Sequence, residues 1–585
     1  MSTKLGIADY AVVAIMLIVS ALIGVYFRFS GGRQKTTNEF LMGNRRMQIT
    51  PVAISLIATS LSSISVLGIP AETYLYGTQV FMAAAGVPIG GLLAAFAFLP
   101  VFYDMKVSTV YEYLEKRFGK TSRTIAAILF TLQTILYMGV VLYAPALALN
   151  AVTGLSTWAS ILTLAAVCML YSSQGGLKAV LWTAVFQFTL VYLCMIAVIV
   201  KISMMLGFTE IVEIADKGGR FIFTDFTGDL TKRYSFWNSL LNGIGFYAYL
   251  YGVNQAQVQR YLSVGNLKKA QIALICSFPL LLLFNLLIFW DGISLYSMFH
   301  DCDPMKDENV KLSSADQLMP YGILKIFGNI PGLTGLCVAG IFSASLGTLS
   351  SGVNALANIT VEDFIKPFCF CKKVNDTCMA FIAKLCAVGY ICLILLMALF
   401  TSSFRGVLEA STVVFGMPAG PVLGMFMLGM FTTRANEPGA LIGLFAGVLL
   451  FAWAGFGAYI TKAEVQTLSR NISGCYANST WEVFNPTTPV SVFEGVTELL
   501  NVTESKESDI FYLYKWSYMW LFPIAFSITV IVGYIASYIL SFFMEVGDVK
   551  SEYLSPFVRK LHFSPTYTAV RTKASDIEVE MNARL

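Results

Sequence analysis

Five hydroxyl side chains, Ser343, Ser345, Thr348, Ser350 and Ser351, fall within nine residues of the otherwise apolar stretch AGIFSASLGTLSSGVNALA. In lipid each such oxygen needs a partner, because an unsatisfied polar group in hydrocarbon costs several kcal/mol. Two chemistries meet that need. The hydroxyls either bond across packed helices or act as neutral oxygen ligands of a small hard cation. On an α-helix Ala344, Gly347, Thr348 and Ser351 share one face. A second cluster, Ser55, Thr59, Ser60, Ser62, Ser63 and Ser65, precedes Gly68 and Pro70 in PVAISLIATSLSSISVLGIPAETYLYG. Glycine weakens a helix and proline removes a backbone donor, so this segment is expected to break near its middle. A break frees carbonyls at one half-helix end, which suit a cation, and N–H groups at the other, which suit an anion. A third polar group, Asn254, Gln255, Gln257, Gln259 and Arg260, follows the aromatics Phe246, Tyr247, Tyr249 and Tyr251 in GFYAYLYGVNQAQVQRYL.

These clusters are carried by long apolar runs. The 585 residues are 56% hydrophobic and 13% charged, against about 25% charged in a soluble domain. The runs are too long for the strands of a membrane barrel, so the expected class is an all-α polytopic membrane protein. Thirteen spans are expected, centred near residues 18, 60, 91, 137, 165, 191, 246, 284, 344, 390, 419, 449 and 528. Ala11–Phe27 reads as the first span, with no clear cleavage site after it. Basic residues following spans 1, 3, 7 and 9 (Arg28 to Arg46, Lys106 to Arg123, Arg260 to Lys269, Lys366 to Lys373) place those loops in the cytoplasm. Residues 1–8 are then extracellular, 9–545 form one transmembrane domain, and 546–585 are a cytoplasmic tail. The longest outside loop, about 461–512, holds glycosylation sequons at Asn471, Asn478 and Asn501. Cys302 and Cys475 are the two cysteines expected outside, and so a candidate disulfide pair. A net charge of +4 gives no reason to expect nucleic acid. The two histidines, His300 and His562, argue against a His-based metal centre. No nucleophile–base pair stands out, so an enzyme is not expected.

Several segments carry a resemblance: VYEYLEKRFG (110–119), LYAPALALNAVTG (142–154), GGLKAVLWTAVFQ (175–187), GVNQAQVQRYLS (252–263), the span 9 stretch with VEDFIKP (361–367), and GPVLGMFMLGMF (420–431). They run in order through residues 9–545. The chain resembles the sodium/solute symporter family, which includes the sodium–glucose transporters, and is most similar in wording to the multivitamin, monocarboxylate and iodide branch. The resemblance implies a LeuT-type core of two inverted five-helix repeats, spans 2–6 and 7–11, with one helix before and two after. It implies a sodium site at Ala58, Leu61, Ala344, Gly347 and Thr348. It also implies a substrate pocket near Ser65, Ile69, Val80, Ala83, Tyr143, Tyr247, Thr412 and Val413. No cofactor is implied; sodium is the only metal, a co-transported partner beside a small solute and the bilayer.

Three positions depart from the family's pattern. Its usual hydroxyl residue is Gly347 here; its WTD motif reads Trp182-Thr183-Ala184; its VLQ reads Val407-Leu408-Glu409. The departures imply that fewer sodium ions are coupled, or that Glu409 serves as a substitute coupling acid. The implied function is import of a small organic anion, a monocarboxylate or an anionic vitamin such as biotin or pantothenate, at the plasma membrane. An inorganic anion such as iodide, a sugar or a polyol stays open as solute. So does a non-transporting sensor or leak on the same fold, and so does the oligomeric state.

Overall fold

A chain without water around it must satisfy its backbone internally, and a run of apolar residues does so as a helix. The computed structural model describes residues 5–562 apart from 31–33, 155, 308, 309, 311, 313, 369–374, 402–406, 462–465, 476–510 and 545–548. Among the described residues all regular structure is helical. The principal helices are α1 (Ile7–Phe29), α2 (Ile49–Ser60), α3 (Ser63–Tyr76), α4 (Thr78–Met105), α5 (Lys120–Thr153), α6 (Thr157–Leu206) and α7 (Phe236–Gly252). They continue as α8 (Gln255–Leu262), α9 (Leu267–Met298), α10 (Leu333–Ile359), α11 (Asp376–Thr401), α12 (Val407–Phe431), α13 (Glu437–Thr461) and α14 (Tyr518–Leu540).

Among the described residues ten helices are long and apolar enough to cross a membrane, or eleven with the bent pair α2–α3. The expected thirteen exceeds this number, and two helices bear on the difference. Helix α6 has 50 residues, about 75 Å at 1.5 Å per residue, more than twice a hydrocarbon core of about 30 Å. It is interrupted at Gly176, whose φ of 55° and ψ of −155° are non-helical, and so comprises two spans. Helix α7 has 17 residues, just short of the usual crossing length. Spans 2 and 7, the first of each five-helix set, are both broken: one between α2 and α3, the other between α7 and α8.

The break in span 2 lies where it was expected, but its cause is different. Pro70 sits inside α3. The chain turns instead at Leu61 and Ser62, and the two half-helices meet at 56°. Leu61 has φ −84° and ψ 87°, and the Ser62 hydroxyl accepts from Ser65 N at 3.2 Å. Serine side chains compete for backbone donors and favour such N-caps over helix interiors. Asn254 does the same at the second break, accepting from Ala256 N at 3.0 Å.

Helix α10 lies at the centre: 94% of its most apolar window is buried, against 17% for α1. Pro145 explains how α5 is tied to it. A proline inside a helix leaves the carbonyl four residues earlier without its donor, here Val141 on α5. Ser63 Oγ of α3 donates to Val141 O at 3.1 Å, and Ser345 Oγ of α10 donates to it at 3.0 Å. One orphaned carbonyl thus joins three helices. Elsewhere, small residues let backbones touch: a Cβ on Gly243 of α7 would lie 2.2 Å from Ala83 O of α4.

Ionic clamps hold the two ends of the bundle. At one end Arg233 Nε and Nη2 donate to the Glu72 carboxylate at 3.0 and 2.7 Å, and Arg233 lies over the rings of Tyr76, Tyr234 and Tyr518. Cys302 and Cys475 form a disulfide there, with Cα atoms 4.9 Å apart. Asp303 beside it bonds Arg470 at 2.9 Å and Tyr74 at 3.1 Å. At the other end Arg123 pairs with Asp363, which also accepts from Thr109 Oγ1 at 2.7 Å. The segment after α14 returns to this end, where Arg559 bonds Asp104 at 2.6 Å.

Interhelical hydrogen bonds in membranes contribute roughly 0.6–2 kcal/mol each. Ser63→Ala and Ser345→Ala are each expected to lower the stability of the detergent-solubilised protein slightly, since Val141 O keeps one donor. The double variant is expected to lose more than the sum. Thermal unfolding of the three variants checks this; additive losses would mean that the hydroxyls do not share the carbonyl.

Candidate functional site

Span 2 ends its first half inside the protein: Leu61 N still reaches Ile57 O at 3.0 Å, and the carbonyls after Ile57 lack intrahelical donors. Thr348 of α10 faces them. Its Oγ1 lies 3.2 Å from Leu61 O and 3.1 Å from Ala344 O, the carbonyl one turn back on its own helix. One hydroxyl hydrogen serves only one of those two acceptors at a time. Gly347 is beside Thr348. A Cβ built there would lie 3.3 Å from Ala58 O and 3.2 Å from Gln187 Oε1. The structure therefore brings together all five expected positions, Ala58, Leu61, Ala344, Gly347 and Thr348, although they come from the end of α2 and the middle of α10. What converges is a group of neutral oxygens, the ligand type that hard cations take.

The other hydroxyls of the opening cluster have different occupations. Ser345 goes to Val141 O. Ser350 Oγ donates to Gly347 O at 3.2 Å. Ser351 Oγ bonds Gly347 O, Thr59 Oγ1 at 3.1 Å, and the Arg260 guanidinium. Ser343 Oγ is buried without a hydrogen-bond partner. Tyr171 of α6 caps the same turn, its hydroxyl donating to Leu346 O at 2.9 Å.

The polar run Asn254–Arg260 forms α8, a buried helix that clamps the surroundings of the break. Gln257 Nε2 donates to Leu56 O and Ser60 Oγ, both at 3.0 Å, holding the last turn of α2. Gln255 accepts from Val110 N at 2.9 Å, and Gln259 donates to Leu41 O at 2.6 Å. Arg260 is fully buried and also donates to Ala256 O at 2.6 Å. These side chains anchor the half-helix that carries the site.

The expected solute positions lie on α3, α4, α5, α7 and α12. Ser65 and Ile69 are half-buried on α3, with Ser65 Oγ 3.3 Å from Ser62 Oγ. Val80 is buried on α4, where Ala83 packs against Gly243 of α7. Tyr143 is buried on α5. Tyr247 is half-buried on α7, stacks with Tyr251 at a centroid distance of 6.1 Å, and has its hydroxyl beside Asn285. Thr412 is half-buried on α12, which touches α3. Val413 turns toward α13, with Cγ1 3.3 Å from where a Cβ on Gly455 would sit. The Glu409 side chain lies outside the described residues, as do Asn478 and Asn501. Asn471 is exposed.

Sequence reasoning missed Gln187. It lies on α6 one turn beyond Ala184, and its amide is 1% exposed with neither atom in a hydrogen bond of normal geometry. A buried amide in a membrane span is itself the signal that could have found it, since such groups are costly without a role.

Comparison with known proteins fits this geometry. The model of the sodium:solute symporter family matches residues 40–447. The human sodium-coupled monocarboxylate transporter 1 is 40% identical over 516 residues, covering 87% of this chain and 84% of that protein. A putative sodium-dependent multivitamin transporter of Drosophila melanogaster is 39% identical over 520 residues, covering 88% and 83%. The rabbit (Oryctolagus cuniculus) sodium-dependent multivitamin transporter is 40% identical over 465 residues, covering 79% and 72%. Among solved structures, a Na+-coupled sialic acid symporter in a substrate-bound outward-open state superposes with a TM-score of 0.74 at 22% identity, covering 93% of this chain and 99% of that one.

A cation held at the break predicts that Thr348→Ala raises the sodium concentration for half-maximal effect about tenfold, the consequence of about 1.4 kcal/mol. The sodium-dependent rise in Tm of the purified protein measures it. Ser350→Ala, which removes a bond to Gly347 O and a contact with the Tyr171 hydroxyl but none of the converging oxygens, is expected to leave the value unchanged.

Proposed function

The chain belongs to the sodium:solute symporter family, and on that premise we propose that it imports a small organic anion, a monocarboxylate or an anionic vitamin, together with sodium. The observation that carries the reading is the meeting of the broken span 2 with Thr348. That meeting places a set of neutral oxygens where a cation would join two helices. Binding of the cation there would draw the end of α2 to α10, and its release would let the helices part, which is the coupling that alternating access needs. The names of the relatives, monocarboxylate and multivitamin transporters, favour an anionic solute. None of the eight positions around the expected solute pocket carries a basic side chain. An anion there would rely on Ser65, Thr412 and Tyr247 hydroxyls, on backbone N–H groups at the start of α3, and on the sodium ion as counter-charge.

The departures bear on concentrating power. One sodium ion moving down about 100 mV gains about 2.3 kcal/mol, and a tenfold gradient adds about 1.4 kcal/mol. With a monoanion and one sodium the net charge is zero and the voltage term vanishes. Ala184 is buried at the place of the family's carboxylate, so the reading assigns one strongly coupled sodium ion rather than several. Orientation follows the basic loops: N-terminus outside, C-terminus in the cytoplasm, at the plasma membrane.

Uptake of lactate, short-chain fatty acids, biotin, pantothenate, iodide, glucose and inositol, each in sodium and in choline medium, tests the proposal. The expected outcome is sodium-dependent uptake of one or more of the organic anions, with a sodium Hill coefficient near one and little current. Steep voltage-driven currents with a coefficient near two would overturn the stoichiometry. Solute binding without sodium-dependent uptake would favour a sensor on the same fold.

A further inference from the structure

Gln187 and Gly347 meet at one point, from helices α6 and α10. The position that a Cβ of residue 347 would occupy lies 3.2 Å from Gln187 Oε1 and 3.3 Å from Ala58 O. Both neighbours are acceptor oxygens. Ala58 belongs to the last turn of α2, where the helix ends and intrahelical donors run out. The Gln187 amide is 1% exposed, and neither its oxygen nor its nitrogen makes a hydrogen bond of normal geometry. The nearby Tyr171 hydroxyl spends its hydrogen on Leu346 O. A buried primary amide left this way is destabilising, because its lost hydration is not replaced. An apolar residue of the same shape would avoid that cost.

Resting on the symporter reading above, we propose that Gln187 is a ligand of the co-transported sodium ion: its carboxamide oxygen supplies the side-chain oxygen that Gly347 lacks. Three features of the chain then fit together. Glycine at 347 brings no oxygen but leaves room, since any Cβ there would crowd both Gln187 Oε1 and Ala58 O. Alanine at 184, one turn before Gln187 on the same helix, brings no charge, so the oxygens named here are all neutral. An amide oxygen is the neutral hard donor that suits Na+ beside backbone carbonyls and a hydroxyl. The proposed ligand set is Ala58 O, Leu61 O, Ala344 O, Thr348 Oγ1 and Gln187 Oε1. It joins α2, α10 and α6, so the ion would hold three helices rather than two.

The experiment uses full-length protein, with two readouts: sodium-dependent uptake in cells, corrected for surface abundance, and the sodium-dependent rise in Tm of purified protein without solute. A bound ion raises stability by RT ln(1 + [Na+]/Kd), so the second readout needs no transport. Gln187→Leu keeps the bulk and removes the oxygen. It is expected to shift the sodium half-effect concentration at least fivefold upward in both readouts. Gln187→Glu keeps an oxygen and adds charge, and is expected to restore or increase sodium affinity. Gly347→Ser in the Gln187→Leu background supplies a hydroxyl where the amide tip no longer crowds it, and is expected to recover at least half of the lost affinity. Equal sodium dependence in wild type and Gln187→Leu, with both proteins folded, overturns the ligand role. So does a loss in Gln187→Leu that neither Gln187→Glu nor Gly347→Ser reverses, which would mark Gln187 as a packing residue. If the wild type itself shows neither sodium-dependent uptake nor a sodium-dependent Tm shift, the symporter reading fails first and separately.

Discussion

The structure depends on what becomes of backbone carbonyls that lose their helical donors in a medium without water. Each interruption of a membrane helix creates such carbonyls, and each must be answered by a hydroxyl, an amide or an ion. Pro145 frees Val141 O, and Ser63 and Ser345 answer it. The turn at Leu61 and Ser62 frees the end of α2, which Thr348 answers in part. The first interruption is closed by protein donors. The second keeps acceptors in excess, and that excess is what the proposed cation site rests on.

The same accounting explains why the polar residues of this apolar chain sit where they do. Among the serines of α10, Ser345 reaches a freed carbonyl, Ser350 and Ser351 bond Gly347 O on their own helix, and Ser343 has no partner among the described residues. The amides of α8 grip Leu56, Ser108, Val110 and Leu41, so a helix that looks hydrophilic in sequence is buried and bonded on several sides. Arg220 is similar: fully buried, it donates to the carbonyls of Tyr74, Gly218 and Ser469 and lies 3.9 Å from the Tyr296 ring centroid. Charges that pair with carboxylates gather at the two ends of the bundle instead, as Arg233–Glu72 and Arg123–Asp363 do. The acceptors gathered at the break are neutral oxygens, whose desolvation costs less than that of ions, and the buried Arg260 beside them donates to Ser351 Oγ and Ala256 O.

Much of this was legible beforehand, for reasons that differ by element. The break of span 2 was readable as a break because serine, glycine and proline all disfavour a continuous helix. Its position was not assignable to the right residues, because Pro70 is tolerated inside α3 while Ser62 finds a backbone donor three residues on. The meeting of Ala344, Gly347 and Thr348 followed from helical spacing. The break at Val253 and Asn254 was missed, since NQAQVQR reads as a polar helix end rather than a second half-helix. Gln187 was passed over because a single amide in an apolar run has no periodicity to mark it.

The sequence by itself determined the class: apolar runs of membrane length can only be helices in lipid, and the ordered motifs carry the family. It also determined which side chains were able to act as oxygen ligands, because that is a property of residue type. Only the tertiary structure decided which of them act together. Thr348 and Leu61 are 287 residues apart in the chain and 3.2 Å apart in space. Cys302 and Cys475 are separated by 173 residues, yet their Cα atoms are 4.9 Å apart. Such distances are set by how helices pack, through small residues such as Gly243 and shared acceptors such as Val141 O. No local pattern encodes them, because a helix fixes its own periodicity but not its neighbour's register.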